Sequence, residues 1–181
     1  AGFADHESIG MAAFFIALLI YSLALYYIDH KKSQHHKTVL WGLAVGFGTA
    51  LTIAAWAGVA KFLFIIIPLS LFLVYLFNIK KKEGGFVSKI VSFYTLWIIS
   101  TSIFGGLLGQ GIKRTLNLFL QSQAIISLAV FAFIIIDVFL LHFQPSQIKK
   151  QFRVIYSLVI TGILGLVALP ILGKNPLTLI I

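Results

Sequence analysis

A single acidic residue inside a long apolar stretch is the first candidate for chemistry. Asp137 follows the run FAFIII and lies about one and a half helical turns before that stretch ends. A charge inside a bilayer is costly, so such a residue normally faces a partner or a water-filled cavity. One interpretation is a proton or cation site. The other is a carboxylate that reaches interfacial water or a loop lysine. No basic residue lies in the middle of another apolar segment. The hydroxyl groups available to bond a protonated carboxyl are those of Thr49, Thr52, Thr95, Thr101 and Tyr94.

Four histidines form the second candidate set. His30, His35 and His36 fall in one basic segment, and His142 ends a later apolar stretch on the same predicted side of the membrane. Neutral imidazole is a common ligand of transition metals, so a cluster there predicts a metal site, and the alternative is a solvated loop. A b-type haem needs histidines at matching depth in two helices, and only His142 comes near that. The sequence leaves open whether haem, quinone or a metal is bound.

Polar side chains inside the apolar stretches or next to them form the third candidate set. A Ser-Thr-Ser run at 100–102 lies inside one stretch. The candidate intramembrane polar site comprises Asp137, Thr101, Gln110, Gln121 and Gln123. These groups would line a pathway for a small solute. The alternative is that the hydroxyls bond the carbonyl four residues back or a neighbouring helix, as is common in membrane proteins.

The usual enzyme signatures are absent from this sequence. There is no HExxH, no pair of intramembrane aspartates and no GxSxG with a histidine partner. The chain has no cysteine, which excludes disulfides, thiolate metal sites and cysteine nucleophiles. Hydrolysis within lipid requires at least two convergent groups, so we do not expect this chain to be catalytic on its own.

Composition defines the setting in which these residues act. The chain has 181 residues, of which 60% are hydrophobic and 10% charged, and its mean hydropathy is +1.02. Soluble domains carry about 25% charged residues, so this chain is predicted to be an integral membrane protein with the lipid bilayer as its partner. The net charge of +9 is typical of basic loops that fix membrane orientation. We therefore do not expect nucleic acid as a partner.

The apolar stretches predict an all-α fold with six transmembrane helices arranged as three hairpins, within one domain that covers residues 1–181. The helices are expected at about 9–28, 38–60, 62–79, 90–110, 118–142 and 154–172. The run 38–79 would be about 63 Å long as one helix, twice the hydrocarbon thickness. It must therefore fold back, and a tight turn is predicted at 58–61.

The second predicted helix carries small residues at every fourth position. This small-residue ridge consists of Gly42, Gly46, Ala50, Ala54 and Gly58. Small residues let the backbones of membrane helices approach closely, so that dispersion contacts hold the helices together. The sequence therefore predicts the second helix at the centre of the bundle. The second, fourth and sixth helices are expected to form the inner packing.

The distribution of basic residues predicts an orientation. The loops after the first, third and fifth helices carry more Lys and Arg than those on the other side, which places them in the cytoplasm and both termini outside. The expected location is the plasma membrane. An exported N-terminus without methionine also fits removal of a signal peptide.

Two functions from different classes are compatible with these features. The first is a non-catalytic membrane subunit of a larger, energy-converting (electron-transfer) complex, which scaffolds helices and holds lipid or quinone beside other membrane subunits. The second is a small transporter or channel that uses Asp137 and the polar face of the fourth helix.

Overall fold

The computed structural model describes residues 3–30, 35–78, 84–121, 124–143 and 152–171. These residues form helices and no strand. The helices are α1 (Phe3–His30), α2 (His35–Phe77), α3 (Gly84–Gly105), α4 (Ile112–Phe119), α5 (Ile125–Phe143) and α6 (Arg153–Ile171), with one turn of π-helix (Gly106–Gln110) between α3 and α4.

Within the described part of the chain, four segments are long and apolar enough to cross a membrane, which confirms an all-α membrane protein. They are Glu7–Ile28, His36–Phe77, Gly85–Gln110 and Ile125–His142. The apolar part of α6, Arg153–Ala168, is shorter than the roughly 20 residues that a span usually needs. The arrangement of six spans in three hairpins therefore stays a prediction.

The chain divides into two compact units, although the sequence predicts a single domain. The first is Ala1–Ser127 and the second is Leu128–Ile181. In the first unit, α1, α2 and α3 pack on one another through the contacts described below. In the second unit, an ion pair joins α5 to α6.

The long helix α2 contains a sharp break. Trp56 has φ −157° and ψ 95°, far from helical values. The indole Nε1 of Trp97 lies 3.1 Å from Thr49 Oγ1, and the Trp97 and Phe64 ring centroids are 5.9 Å apart. Residues 49 and 64 would lie about 22 Å apart along a straight helix. One side chain reaches both, so the chain turns back at Trp56.

This reversal lies two residues before the turn predicted at 58–61. The packing of Trp56 against α1 gives a physical reason, because a Cβ atom on Gly10 would collide with the Cβ of Trp56. The missing side chain at Gly10 thus makes room for Trp56 at the turn. Gly58, where the sequence places the turn, is exposed.

The first half of the small-residue ridge packs closely on α3. A Cβ on Gly42 would lie 2.9 Å from the Phe93 carbonyl oxygen, and one on Gly46 would lie 2.9 Å from the Thr101 backbone nitrogen. Ala50 is also buried. The second half of the ridge differs, because Ala54 and Gly58 are exposed.

The helix predicted at 90–110 begins earlier and changes form at its end. Regular α-helix stops at Gly105, and the wide turn that follows contains Gly109 at φ +92°. Gly111 has φ +76°. Positive φ is readily adopted by glycine alone, so these two glycines end the helix and let the chain turn into α4.

The helix predicted at 118–142 is interrupted as well. α4 ends at Phe119 and α5 begins at Ile125. α4 is amphipathic: Thr115 and Phe119 are buried, whereas Lys113 and Arg114 are exposed. Its charged residues lie on one side of a short helix, which is why the apolar pattern did not reveal it.

Two glycines of α6, at 162 and 165, have open space beside them. A Cβ added to Gly162 or Gly165 would meet no atom within 4 Å among the residues that the structure describes. α6 instead contacts α5 through Ser157. Close packing of small residues is therefore observed for α2 against α3, and the inner packing of the sixth predicted helix stays a prediction.

A buried aromatic cluster fills the first unit around Trp97. Its ring lies 5.4 Å from Tyr94 and 6.1 Å from Phe119, measured between centroids. The Trp97 N–H donates to Thr49 Oγ1, and Thr49 in turn donates to the Val45 carbonyl at 2.9 Å. A buried indole N–H needs such an acceptor, so Thr49 ties α2 to α3.

We expect Thr49→Val to destabilise the protein by about 1–3 kcal/mol, because it leaves the buried Trp97 N–H without its acceptor. Thr52→Val is the matched control. Thr52 is equally buried and bonds the Gly48 carbonyl of its own helix, so its loss should cost less. Thermal unfolding in detergent measures both variants. Equal losses would show that the bond between helices contributes nothing.

Candidate functional site

The most distinctive polar site joins α5 and α6 in the second unit. The side chain of Asp137 is fully buried, and its Oδ1 accepts a hydrogen bond from Arg153 Nε at 3.0 Å. The side chain of Arg153 is 12% exposed. A carboxylate buried without a counter-ion would cost several kcal/mol, on the order of what a mispaired buried charge costs. The ion pair therefore allows Asp137 to lie inside the protein.

Two hydroxyl groups complete this site. Ser157 Oγ lies 3.0 Å from Asp137 Oδ1 and 3.0 Å from the Arg153 carbonyl oxygen, so its single proton can serve either acceptor. One turn further along α6, Thr161 donates to the Ser157 carbonyl at 2.7 Å. We name Asp137, Arg153 and Ser157 the α5–α6 polar cluster. It places one paired charge and one hydroxyl between two helices.

Arg153 is the site residue that sequence reasoning missed. The sequence assigns it to the basic loop, one residue before the predicted helix at 154–172, whereas α6 begins at Arg153. A signal was present, because Asp137 is the one acidic residue after Glu83 and a basic segment follows it. A hairpin between α5 and α6 returns that segment to Asp137, and the long arginine side chain bridges the remaining distance.

Four of the five hydroxyl groups proposed as partners of Asp137 have other hydrogen bonds. Thr49 and Thr52 donate to carbonyls four residues back, at 2.9 Å each. Tyr94 donates to the Ser127 carbonyl at 2.6 Å, and Thr95 is half-buried. Thr101 lies 3.4 Å from the Gly46 carbonyl oxygen. These hydroxyls thus serve the packing of helices.

The glutamines of the predicted polar site lie at different places. Gln110 is half-buried at the end of the π-helical turn, and Gln121 is exposed after α4. Gln123 lies outside the described residues. Ser100 and Ser102 donate to carbonyls three and four residues back in α3, at 3.4 and 2.8 Å. The described contacts do not join these groups into a polar path.

The predicted histidine cluster is described only in part. His36 and His142 are exposed. The side chains of His30 and His35 lie outside the described part of the structure. Among the described residues, no group of three or more His, Asp and Glu side chains is placed to hold a metal ion. The metal interpretation of the four histidines thus stays a prediction.

A second site lies where the helix is broken between α4 and α5. The Phe119 ring packs on Phe64, with 4.8 Å between centroids, and Ser127 accepts a bond from Tyr94, near the middle of α3. Phe119 and Ser127, on the two sides of this break, therefore contact α2 and α3 of the first unit. Beside the break, the Ile125 amide donates to the Gln121 carbonyl at 2.9 Å.

A small pocket adjoins this break, with space for about one water molecule. Its lining is Ala57, Ala60, Lys61, Phe64, Leu118, Gln121 and Ala124. Lys61 and Gln121 supply its polar side chains, and the remaining residues are apolar. The pocket offers one cation and one amide to a small polar molecule. It contains no carboxylate or imidazole that could transfer a proton.

Comparison with protein-family models, curated proteins and solved structures finds no match for this chain. Function is therefore argued from the two sites and the packing that surrounds them.

Proposed function

We propose that the protein is a non-catalytic integral membrane subunit of a larger membrane complex, of the energy-converting, electron-transfer class. In this role it scaffolds helices and holds lipid or quinone next to other membrane subunits. The observation that carries the proposal is how the polar side chains of the spans are used. Most of those that the structure describes bond to backbone carbonyls or to one another, which stabilises packing; the buried hydroxyl of Thr38 has no such bond among the described residues.

The buried hydroxyl groups illustrate this use. Those that donate to backbone carbonyls include Thr49, Thr52, Ser100, Thr101, Ser102 and Ser127. The buried acid Asp137 has Arg153 as its counter-ion. A catalytic or transport site normally keeps some polar groups available to the substrate. A scaffold has no such need, and this favours the subunit.

The outer surface of α6 adds support. Its exposed side chains include Ile155, Leu158, Val159, Ile163, Leu166 and Val167. Gly162 and Gly165 leave open space among them. Small residues between large apolar ones suit close approach of another membrane helix. A neighbouring subunit is therefore a suitable occupant of this face.

The test is purification of the native protein in mild detergent, followed by a native gel, mass spectrometry of all co-migrating proteins and an absorption spectrum. We expect the chain to migrate with other membrane proteins, because the proposed role requires them. A haem band in the spectrum would identify the assembly as an electron-transfer complex. Migration as a lone monomer or small homo-oligomer would contradict the proposal.

A small transporter or channel is the second candidate, and the break between α4 and α5 favours it. Transporters often place their sites at interrupted helices near the bilayer midplane. Here the interruption adjoins the pocket that contains Lys61 and Gln121. The expected result for this candidate is a solitary protein on the native gel whose solute uptake into vesicles is lost in Lys61→Gln.

The proposed location is the plasma membrane with both termini outside, supported by the excess of basic residues in the loops after the first, third and fifth predicted helices. The natural chain has no cysteine, so single introduced cysteines report topology without background. A cysteine at Ser33 should resist an impermeant maleimide in intact cells. Labelling there would reverse the orientation.

A further inference from the structure

The α5–α6 polar cluster leaves part of its arginine available. A guanidinium group has five N–H donors, and Arg153 uses its Nε–H for Asp137. Among the described residues, no side chain accepts a hydrogen bond from its two Nη atoms, and 12% of the side chain is exposed. The two Nη atoms, which form the fork of the guanidinium group, therefore keep donors that a ligand could use.

Asp137 determines how this fork is presented. A carboxylate that accepted hydrogen bonds from both Nη atoms would occupy the fork. The observed contact of Asp137 is instead to Nε of the guanidinium group. Ser157 holds the same carboxylate oxygen at 3.0 Å, which fixes the carboxylate in turn. The fork is thus oriented before any ligand arrives, and such a fork matches two oxygens of one phosphate.

The charge of the surrounding sequence also favours an anion. Besides Arg153, residues 138–181 contain three lysines and no aspartate or glutamate, so no aspartate or glutamate of this segment competes for the fork. Asp137 neutralises part of the charge of Arg153. The phosphate of a zwitterionic lipid offers the fork the same two oxygens, so the preference for an anionic lipid depends on the excess of basic residues in this segment.

Beyond Arg153, α6 carries exposed apolar side chains that an acyl chain could contact and that free phosphate would not use. Tyr156 is on the same face, three residues on, and is 46% exposed. Ile160 is half-buried and Leu164 exposed on that face. A tyrosine beside a cation is typical of the membrane interface, and the apolar side chains beyond it can contact an acyl chain.

We propose that Arg153 binds the headgroup phosphate of an anionic phospholipid whose acyl chain lies along Tyr156, Ile160 and Leu164 of α6. The proposal rests on the lipid-holding part of the proposed function. Its test uses the purified full-length chain alone, so the absence of partner subunits, which would contradict the subunit role, has no bearing on it.

The experiment is a titration of the detergent-solubilised protein with phosphatidylglycerol, phosphatidylcholine or inorganic phosphate, with bound species counted by native mass spectrometry. We expect phosphatidylglycerol to bind at least tenfold more tightly than phosphatidylcholine and inorganic phosphate to bind weakly. Equal affinity for the two lipids would overturn the anionic site. Inorganic phosphate that binds as tightly as phosphatidylglycerol would overturn the lipid assignment.

Variants at position 153 test whether Arg153 binds the lipid phosphate. Arg153→Lys keeps a cation beside Asp137 but removes the fork, and we expect at least a tenfold loss of phosphatidylglycerol affinity with the fold retained. The double variant Asp137→Asn with Arg153→Gln removes both charges and should lose the same affinity. Lys89→Gln, which removes a base in α3, is the matched control and should stay within twofold of wild type. Wild-type affinity in Arg153→Lys would overturn the proposal.

Discussion

Replacement of Arg153 by leucine is expected to destabilise the protein by about 3–5 kcal/mol, the range measured when one partner of a buried ion pair is removed. Asp137 is fully buried and takes its charged hydrogen bond from Arg153. Loss of Arg153 removes this charged hydrogen bond from the buried carboxylate, and the Ser157 hydroxyl is neutral. Thermal or denaturant unfolding of the protein in detergent measures the loss.

Two controls separate this effect from a general loss of charge. Arg114→Leu removes an exposed arginine of α4 and should change the free energy of unfolding by no more than about 0.5 kcal/mol, as is usual for surface sites. The double variant Asp137→Leu with Arg153→Leu should recover most of the loss, because well-packed apolar residues often replace a buried pair without cost. A double variant as unstable as Arg153→Leu would refute the ion-pair account.

Gly46→Leu is expected to have the second large effect, a loss of about 3 kcal/mol or more, at the upper end of the range for overpacked cores. A Cβ at this position would lie 2.9 Å from the Thr101 backbone nitrogen and 2.9 Å from Ser100 Cβ. Backbone atoms cannot rotate away from a clash. α2 and α3 would therefore separate, and the bond from Trp97 to Thr49 would lengthen with them.

The matched control is Gly162→Leu in α6. A Cβ there meets no atom within 4 Å among the described residues, so the isolated protein should keep its stability within about 0.5 kcal/mol. Both variants replace a glycine by leucine, so they differ only in the atoms that surround the new side chain. If Gly46→Leu unfolds like the wild type, the close contact between α2 and α3 is absent in the membrane.

Some local features were predictable because they depend on nearby residues alone. The fold-back within residues 38–79 follows from length, since one helix would be twice the bilayer thickness. Its position at Trp56 does not follow, because it depends on Gly10 of another helix. Likewise, the sequence predicts a continuous helix at 90–110, and the positive φ angles of Gly109 and Gly111 and the start of α4 required the structure.

The candidate site shows the same division. Asp137 stands out in the sequence because a carboxylate in an apolar stretch needs compensation. Its partner could not be read from periodicity, since Arg153 belongs to a different helix and its register against α5 is set by packing. For the same reason, the hydroxyls named as alternatives were plausible by type, and the structure directs them to backbone carbonyls.

The sequence by itself determined the membrane class, the helical fold and the buried acid, because hydropathy and charge act residue by residue and leave few ways to satisfy a backbone in lipid. Tertiary structure alone decided which half of the small-residue ridge packs, where α2 reverses and which base meets Asp137. These features depend on which side chains of separate helices meet, and no local pattern in the sequence encodes such contacts.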